Sequence, residues 1–232
     1  MSRRLSCNIL IDPFTFFMES IKLIFNLEIM NMDTFEAISS RRAIKKFDNS
    51  YKMTSEQVNS LMKLAILSPT SYNQQNWRFV TITDESIKQK ISIAARNQAQ
   101  PKDGSLVILL CGNLSAWKDD PLRYWKNSTS EKQSHVKTAL EKKYAESSEN
   151  RRDEAMRSCG FAAQTIMLAA RQMGLDSCPM VGFEYDQVAQ IIELPDDHLI
   201  VLMIVVGKSA EPAAPRGGQL PLDEVVFQNK FN

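Results

Sequence analysis

The sequence predicts an α+β fold, and three features carry that expectation. Helix-like and strand-like segments do not alternate one for one, which disfavours a doubly wound parallel sheet. Two continuous apolar runs, residues 106–111 and the stretch LIVLMIVVG ending at Gly207, read as buried strands. Residues 155–173 carry a wide apolar stripe at helical spacing through Met156, Cys159, Ala163, Ile166, Met167, Ala170 and Met173, with Gly174 as the stop.

The remaining elements follow in order. Asp33 with Glu36 forms a capping pair for a short helix over FEAISS. The basic, alternating RRAIKKFD suits an extended segment. Thr54 with Gln57 fits a capping box, and Val58, Leu61, Met62 and Ala65 mark the face of the helix that follows. That helix ends near Ser68-Pro69, because the residue before proline is pushed out of the α region. Residues 78–83 read as a strand and 85–95 as a helix. The polar stretch 115–150, with Trp117 and Trp125 near its start and a charged helix behind them, is the most lid-like part of the chain. CPMVGF reads as a loop and residues 187–193 as a short helix. The tail EPAAPRGGQLPLDEVVFQ is proline-rich, then strand-like, and too apolar at its end to be left in water. The stripe at 155–173 predicts a central core helix, whose Gly160, Ala162 and Ala163 also permit close approach by another backbone, such as a partner subunit's helix. No repeat or linker divides residues 32–232, which form a single domain.

Residues 1–31 form an extension. Asp12, Pro13, Glu19, Lys22 and Glu28 interrupt its apolar run, whereas a membrane-spanning helix needs ~20 mostly apolar residues. A signal peptide needs a cleaner apolar centre and a small-residue cleavage site. Phe14, Phe17, Met18, Ile21 and Phe25 fall near helical spacing, so one reading is an amphipathic helix. The other is a gene-model artefact upstream of a start at Met30 or Met32. Both rank above membrane anchoring.

Composition excludes several function classes. The chain has 232 residues with 44% hydrophobic and 24% charged content, ordinary for a globular protein. A formal net charge of +1 provides no field for nucleic acid or an anionic membrane surface. Cys7, Cys111, Cys159 and Cys178 are widely spaced without a CxxC pair. They read as free buried thiols in a reducing compartment, the cytoplasm, and not as a zinc site or disulfide framework. His135 and His198 lie in polar contexts and read as surface residues.

Five segments concentrate hydrogen-bonding capacity: Arg41-Arg42-x-x-Lys45, SPTSYNQQNWRF (68–79), Asn97-x-x-Gln100, Pro179-Met180-Val181-Gly182, and Arg216-Gly217-Gly218-Gln219. None contains a carboxylate pair, a metal-ligand set or a nucleophile with its base. The inventory suits holding a phosphate and a polar heterocycle, with arginine forks for the phosphate, a compact lysine charge, and amides that read ring edges. Each cluster also has an ordinary reading: a solvated Arg pair, a helix-end cap, or a loop that merely caps the preceding helix. A Rossmann glycine fingerprint and a P-loop are both absent.

The ordered set SSRRAIKKFD, SPTSYNQQNWRF, NQAQPKDGSLVILL, GLDSCPMVGF and PRGGQLPLDEVV resembles the FMN-dependent nitroreductase family over residues 32–227. The resemblance implies a three-layer α+β fold, with a central mixed or antiparallel sheet flanked by helices. It also implies a homodimer whose C-terminal strand packs on the partner subunit, with FMN at the interface. Hydride would pass from NADH or NADPH through the bound flavin, in a ping-pong cycle, to a small acceptor such as a nitroaromatic or quinone. No metal, nucleic acid or membrane partner is implied, and no catalytic side chain is assigned. By the same resemblance, Arg41 and Arg42 contact the phosphate and ribityl region, with Ala43 beside them, and Lys45 lies near flavin N1 and O2. Asn97 and Gln100 hydrogen-bond the pyrimidine half. The backbone of Pro179, Met180, Val181 and Gly182 faces N5 and O4. Arg216 and Gln219 belong to the phosphate clamp. Pro69, Thr70, Ser71 and Asn73 reach the flavin bound mainly by the other subunit. The chain departs from the family's pattern in Ala43, where many members have serine, in Asn76, where proline usually precedes the tryptophan, and in Gln219, where a second basic residue is common. Trp117, Tyr124 and Trp125 either roof the pocket and select the acceptor or simply pack. Two alternatives remain at this level: another flavin-dependent dehydrogenase on the same scaffold, and a non-catalytic flavin-binding or sensory module.

Overall fold

The computed structural model describes residues 32–231. The N-terminal extension, with its expected amphipathic helix, lies outside the described residues. The sheet contains β1 (Trp77–Ile82), β2 (Leu106–Asn113), β3 (Asp176–Met180) and β4 (His198–Gly207), in the order β1-β2-β4-β3. All three strand pairs are antiparallel. Around the sheet stand α1 (Thr34–Ser40), α2 (Ser55–Ala65), α3 (Glu85–Ala94), α4 (Ala99–Asp103), α5 (Ser130–Tyr144), α6 (Ser148–Gln172), α7 (Tyr185–Ile191) and the single-turn α8 (Leu222–Val225).

The α+β expectation and its three layers are observed. Along β2, Leu106, Ile108 and Leu110 enter one core with Leu61 and Ala65 of α2 and Cys159, Ala162 and Ile166 of α6. The intervening Val107, Leu109 and Cys111 enter a second core with Ile91 and Ala94 of α3 and Val188 of α7. Side chains alternate across a strand, so a strand covered on both faces must be apolar at every position. That is why residues 106–111 read as one unbroken run. Burying each such Leu or Ile contributes about 1.5–3 kcal/mol.

The local signals act as expected at the start of the chain. Asp33 Oδ1 accepts from the Glu36 N–H at 2.8 Å. The Thr54 capping box closes on both sides, Gln57 N–H to Thr54 Oγ1 at 3.2 Å and Thr54 N–H to Gln57 Oε1 at 2.9 Å. Helix α2 ends at Ala65, ahead of Pro69.

Several expectations are corrected. Pro179 and Met180 belong to β3 and are not loop residues; proline is tolerated there because β3 is the edge strand of the sheet. Gln100 lies in α4, a five-residue helix too short to show a periodic pattern. Helix α6 starts at Ser148, not Ala155. Its first two turns, SENRRDE, have no apolar stripe, but the Ser147 hydroxyl accepts from Asn150 N–H at 3.0 Å and caps them. The tail forms no strand among the described residues; it is extended and irregular, with one helical turn at α8. His198 is half-buried at the start of β4, with Nδ1 2.6 Å from Asp197 Oδ1, whereas His135 is exposed as expected.

Helix α6 crosses β2 at its closest where Gly112 faces Ala155: a Cβ on Gly112 would stand 2.4 Å from the Ala155 Cβ. Gly112→Ala should therefore force α6 away from the sheet and cost about 1–3 kcal/mol, measured as a lower urea midpoint with an unchanged slope.

Candidate functional site

The free edge of β3 gathers most of the predicted residues. Residues 41–47 run beside it, with a parallel bridge between Ala43 and Ser177 and a bond from Ile44 N–H to Ser177 O at 3.0 Å. That register brings Lys45 Nζ to 3.8 Å from Cys178 Sγ. Burial pushes the Cys178 thiol up from its ordinary value, while Lys45 pulls it down.

The C-terminal strap closes over the same segment by a reciprocal exchange. Arg42 donates to Ala214 O. In return, Arg216 Nη2 donates to Ser39 O at 2.7 Å and to Arg41 O at 3.0 Å. Arg42 and Arg216 thus tie the 39–42 segment to the strap, with Arg41 joined through its backbone carbonyl, although 174 residues of chain separate Arg42 from Arg216 (216 − 42). None of these three, nor Lys45, forms an ion pair among the described residues. The adjacent Lys46, in contrast, pairs with Glu211 at 3.0 Å. Gln219 lies exposed further along the strap.

At the other end of β3 the chain turns through Val181 and Gly182, both exposed. Three contacts bind this turn to the end of α3: Gln98 Nε2 to Gly182 O at 2.8 Å, Glu184 N–H to Ala94 O at 2.9 Å, and Arg96 Nε to Glu184 Oε1 at 3.1 Å. Asn97 is exposed beside them and Gln100 is buried one turn later. Arg96 and Asn97 both have left-handed backbones, with φ of 57° and 58°. Gln98 was not among the expected residues; no motif singles it out, and it acts by tying the turn rather than by facing outward.

Pro69, Thr70, Ser71 and Asn73 stand elsewhere. No hydrogen bond joins their loop to the β3 edge among the described residues. The loop is tied instead to α6 and to the 115–150 region: Ser68 Oγ to Thr165 Oγ1 at 3.0 Å, Ser71 N–H to Glu154 Oε1 at 2.9 Å, and Trp125 Nε1 to Tyr72 O at 3.1 Å. Tyr72, Asn73 and Gln75 are left-handed, with φ of 53°, 50° and 46°. Gln74 Nε2 and Asn76 Oδ1 are buried without a protein partner. Trp117 and Trp125 pack on a satellite cluster of Val136, Leu140 and Tyr144. This places both in ordinary packing, with Trp125 also touching the loop.

The donor set fits an anionic, ring-bearing ligand. Four cations converge on or beside the β3 edge without carboxylate partners, and neutral amides and a free backbone turn follow along it. No group of three or more His, Cys, Asp or Glu side chains among the described residues is disposed to hold a metal ion. No described helix is long and apolar enough to cross a membrane.

Comparison with known proteins agrees with this geometry. The profile of the Nitroreductase family matches residues 38–208, and the chain belongs to that family. Protein DrgA of Synechocystis sp. is 42% identical over 204 residues, covering 86% of this chain and 97% of its own. The oxygen-insensitive NADPH nitroreductase of Helicobacter pylori (strain J99) is 25% identical over 200 residues, covering 83% and 95%. A protein of Exiguobacterium sibiricum solved in complex with FMN superposes with a TM-score of 0.78 at 26% identity, covering 85% of this chain and 98% of its own.

The described cysteines, Cys111, Cys159 and Cys178, are free and buried. Burial pushes the thiols of both Cys111 and Cys159 up to about 12 from an ordinary 9.0. A thiol that stays protonated when folded but ionises when unfolded contributes stability that is complete below pH 9. That stability is lost as pH climbs toward about 12. A Cys7→Ser variant should show no fast thiol reacting with a disulfide reagent at pH 8, and its unfolding midpoint should fall steadily above pH 9.

Proposed function

We propose that this protein is an FMN-dependent oxidoreductase that takes reducing equivalents from NADH or NADPH and delivers them to a small aromatic or quinone-like acceptor. The observation that carries the reading is the knot of Arg41, Arg42 and Arg216 without carboxylates, placed at one end of an edge strand whose other end offers an exposed backbone turn. Bound FMN supplies the two-electron redox chemistry.

The chain's own residues bind and orient that group. Arg41 and Arg42, tied down by the strap, present guanidinium forks to its phosphate, and Arg216 braces the backbone at Ser39 and Arg41 from the C-terminal side. Lys45 places a positive charge at the pyrimidine edge and favours the anionic reduced form. Asn97 and Gln100 read the same half of the ring. Val181 and Gly182 present backbone at the reactive edge, where an absent or small side chain leaves the approach open. Ala43 removes a hydroxyl contact and Gln219 replaces a charge by a neutral amide. Each weakens the grip by on the order of 1 kcal/mol without removing the arginine knot.

The protein acts as a homodimer in this reading. Leu67, 75% exposed, lines a groove of about 400 Å³ with Leu64, Pro69, Leu168 and Met173, and Phe35 is 84% exposed. Leu222, Val226 and Phe227 of the tail are also exposed. Apolar surface on this scale belongs at an interface. Pairing two copies would cover it and bring the 68–76 loop of one to the β3 edge of the other.

The purified protein should be yellow or take up FMN stoichiometrically, and NADH or NADPH should bleach it under anaerobic conditions. A colourless protein that does not bind added FMN would sink the reading. Arg42→Ala should weaken FMN binding by roughly tenfold or more, since a hydrogen bond to a charged group contributes about 1.5–3 kcal/mol. Leu67→Glu should shift the sedimenting species from dimer to monomer and lower FMN affinity with it.

A further inference from the structure

Glu154 is a buried carboxylate, 5% exposed, at the end of the second turn of α6. Four donors converge on it. Oε1 accepts the Ser71 N–H at 2.9 Å and the Ser158 hydroxyl at 2.9 Å. Oε2 accepts Arg157 Nε at 3.3 Å and Nη2 at 3.2 Å. Every partner donates and none accepts, so an ionised carboxylate satisfies the whole set, whereas a glutamine must turn an NH2 group toward one pair of donors. A buried charge is kept only where such pairing holds it.

The position of the contact on the loop matters more than its strength. Ser71 opens the 3-10 turn Ser71–Asn73. Directly after it, the backbone turns left-handed at Tyr72, Asn73 and Gln75 without a glycine among them. The loop's internal bonds, Gln75 N–H to Thr70 Oγ1 at 2.9 Å and Asn73 N–H to Thr70 O at 3.0 Å, close it on itself but do not locate it on the protein. Glu154 does locate it, because α6 is clamped against β2 and β4 through the central core.

We propose that Glu154 is a positioning residue for FMN binding: by holding the Ser71 amide it fixes Thr70, Ser71 and Asn73 in the shape that meets the cofactor. This rests on the FMN reading above. Glu154 does not itself face the ligand; it acts through the loop backbone. The oxygen that accepts the Ser71 amide is required for location, and Arg157, half-exposed on the far oxygen, is dispensable.

The test is FMN affinity, read by fluorescence quenching on the apo dimer well below its melting temperature, alongside the apo melting temperature itself. Glu154→Ala should raise the FMN Kd by about tenfold or more. Glu154→Gln can keep its oxygen on Ser71 and Ser158 and let Arg157 swing into water, so its Kd should stay within about threefold of wild type. Arg157→Ala should leave the Kd within the same range. Where the alanine variant does not fold, Glu154→Asp serves. It keeps the charge for Arg157 but falls one methylene short of Ser71, and it should show the same rise. An alanine or aspartate variant with lowered melting temperature and wild-type Kd would make Glu154 purely structural and overturn the proposal. Wild-type protein that binds no FMN would take down the functional reading and this inference together; normal binding in wild type and variant alike removes only the inference.

Discussion

Burial of the two central strands on both faces is the constraint from which the rest of the structure follows. With β2 and β4 sandwiched between two helical layers, neither face of the sheet can receive a ligand without removing core. The outer edges of β1 and β3 and the loops at the rim of the layers are what remain. The groups proposed to bind the ligand therefore lie along an edge rather than in a cavity. An edge strand also presents unpaired backbone groups that must be blunted, and here residues 43–47 do this in part while delivering Arg42 and Lys45 to the same place.

The electrostatics of that edge show which cations are structural. Lys46 meets Glu211 at the surface, with side chains 67% and 53% exposed, an arrangement that contributes no more than about 1 kcal/mol. The two cations that precede it, Arg42 and Lys45, bind only a carbonyl and a thiol. Carbonyls orient a guanidinium without neutralising it. The strap therefore fixes where the charges point and leaves the field intact for an anion. Arg42 reaching into the strap while Arg216 reaches out of it means that neither segment can shift alone.

Legibility from sequence followed how local each cause was. The N-cap at Asp33, the capping box at Thr54, the stop before Pro69 and the unbroken apolar run of β2 depend on neighbours within a few residues, and all were readable. Pro179 in β3 was not, because the tolerance of an edge position is a property of sheet order, which no local window contains. The first turns of α6 were missed because SENRRDE carries no apolar residue and its cap is a single serine. The polar segments of the site could be picked out one by one, but only the ordered resemblance joined them, since 174 residues part Arg42 from Arg216 (216 − 42). Glu154 carried no signal: a glutamate among polar residues at a helix start looks solvated, and only the fold closes the loop over it.

The left-handed residues link stability to assembly. Tyr72, Asn73, Gln75, Arg96 and Asn97 lie in the two loops next to the proposed ligand contacts, and a non-glycine residue in that region costs roughly 1–2 kcal/mol. Glycine at these positions would relieve the strain and also release the loop to explore other shapes. Retaining bulky side chains there trades stability of the single chain for a loop with one conformation. The apolar surface around Leu67 sits at the foot of the first of these loops, so burying it in the proposed dimer would offset the strain where the strain is stored. A loop held by Glu154 on one side and covered by a partner on the other would have its ordering cost met before any ligand arrived, and the ligand's binding energy would then be left for holding the ligand.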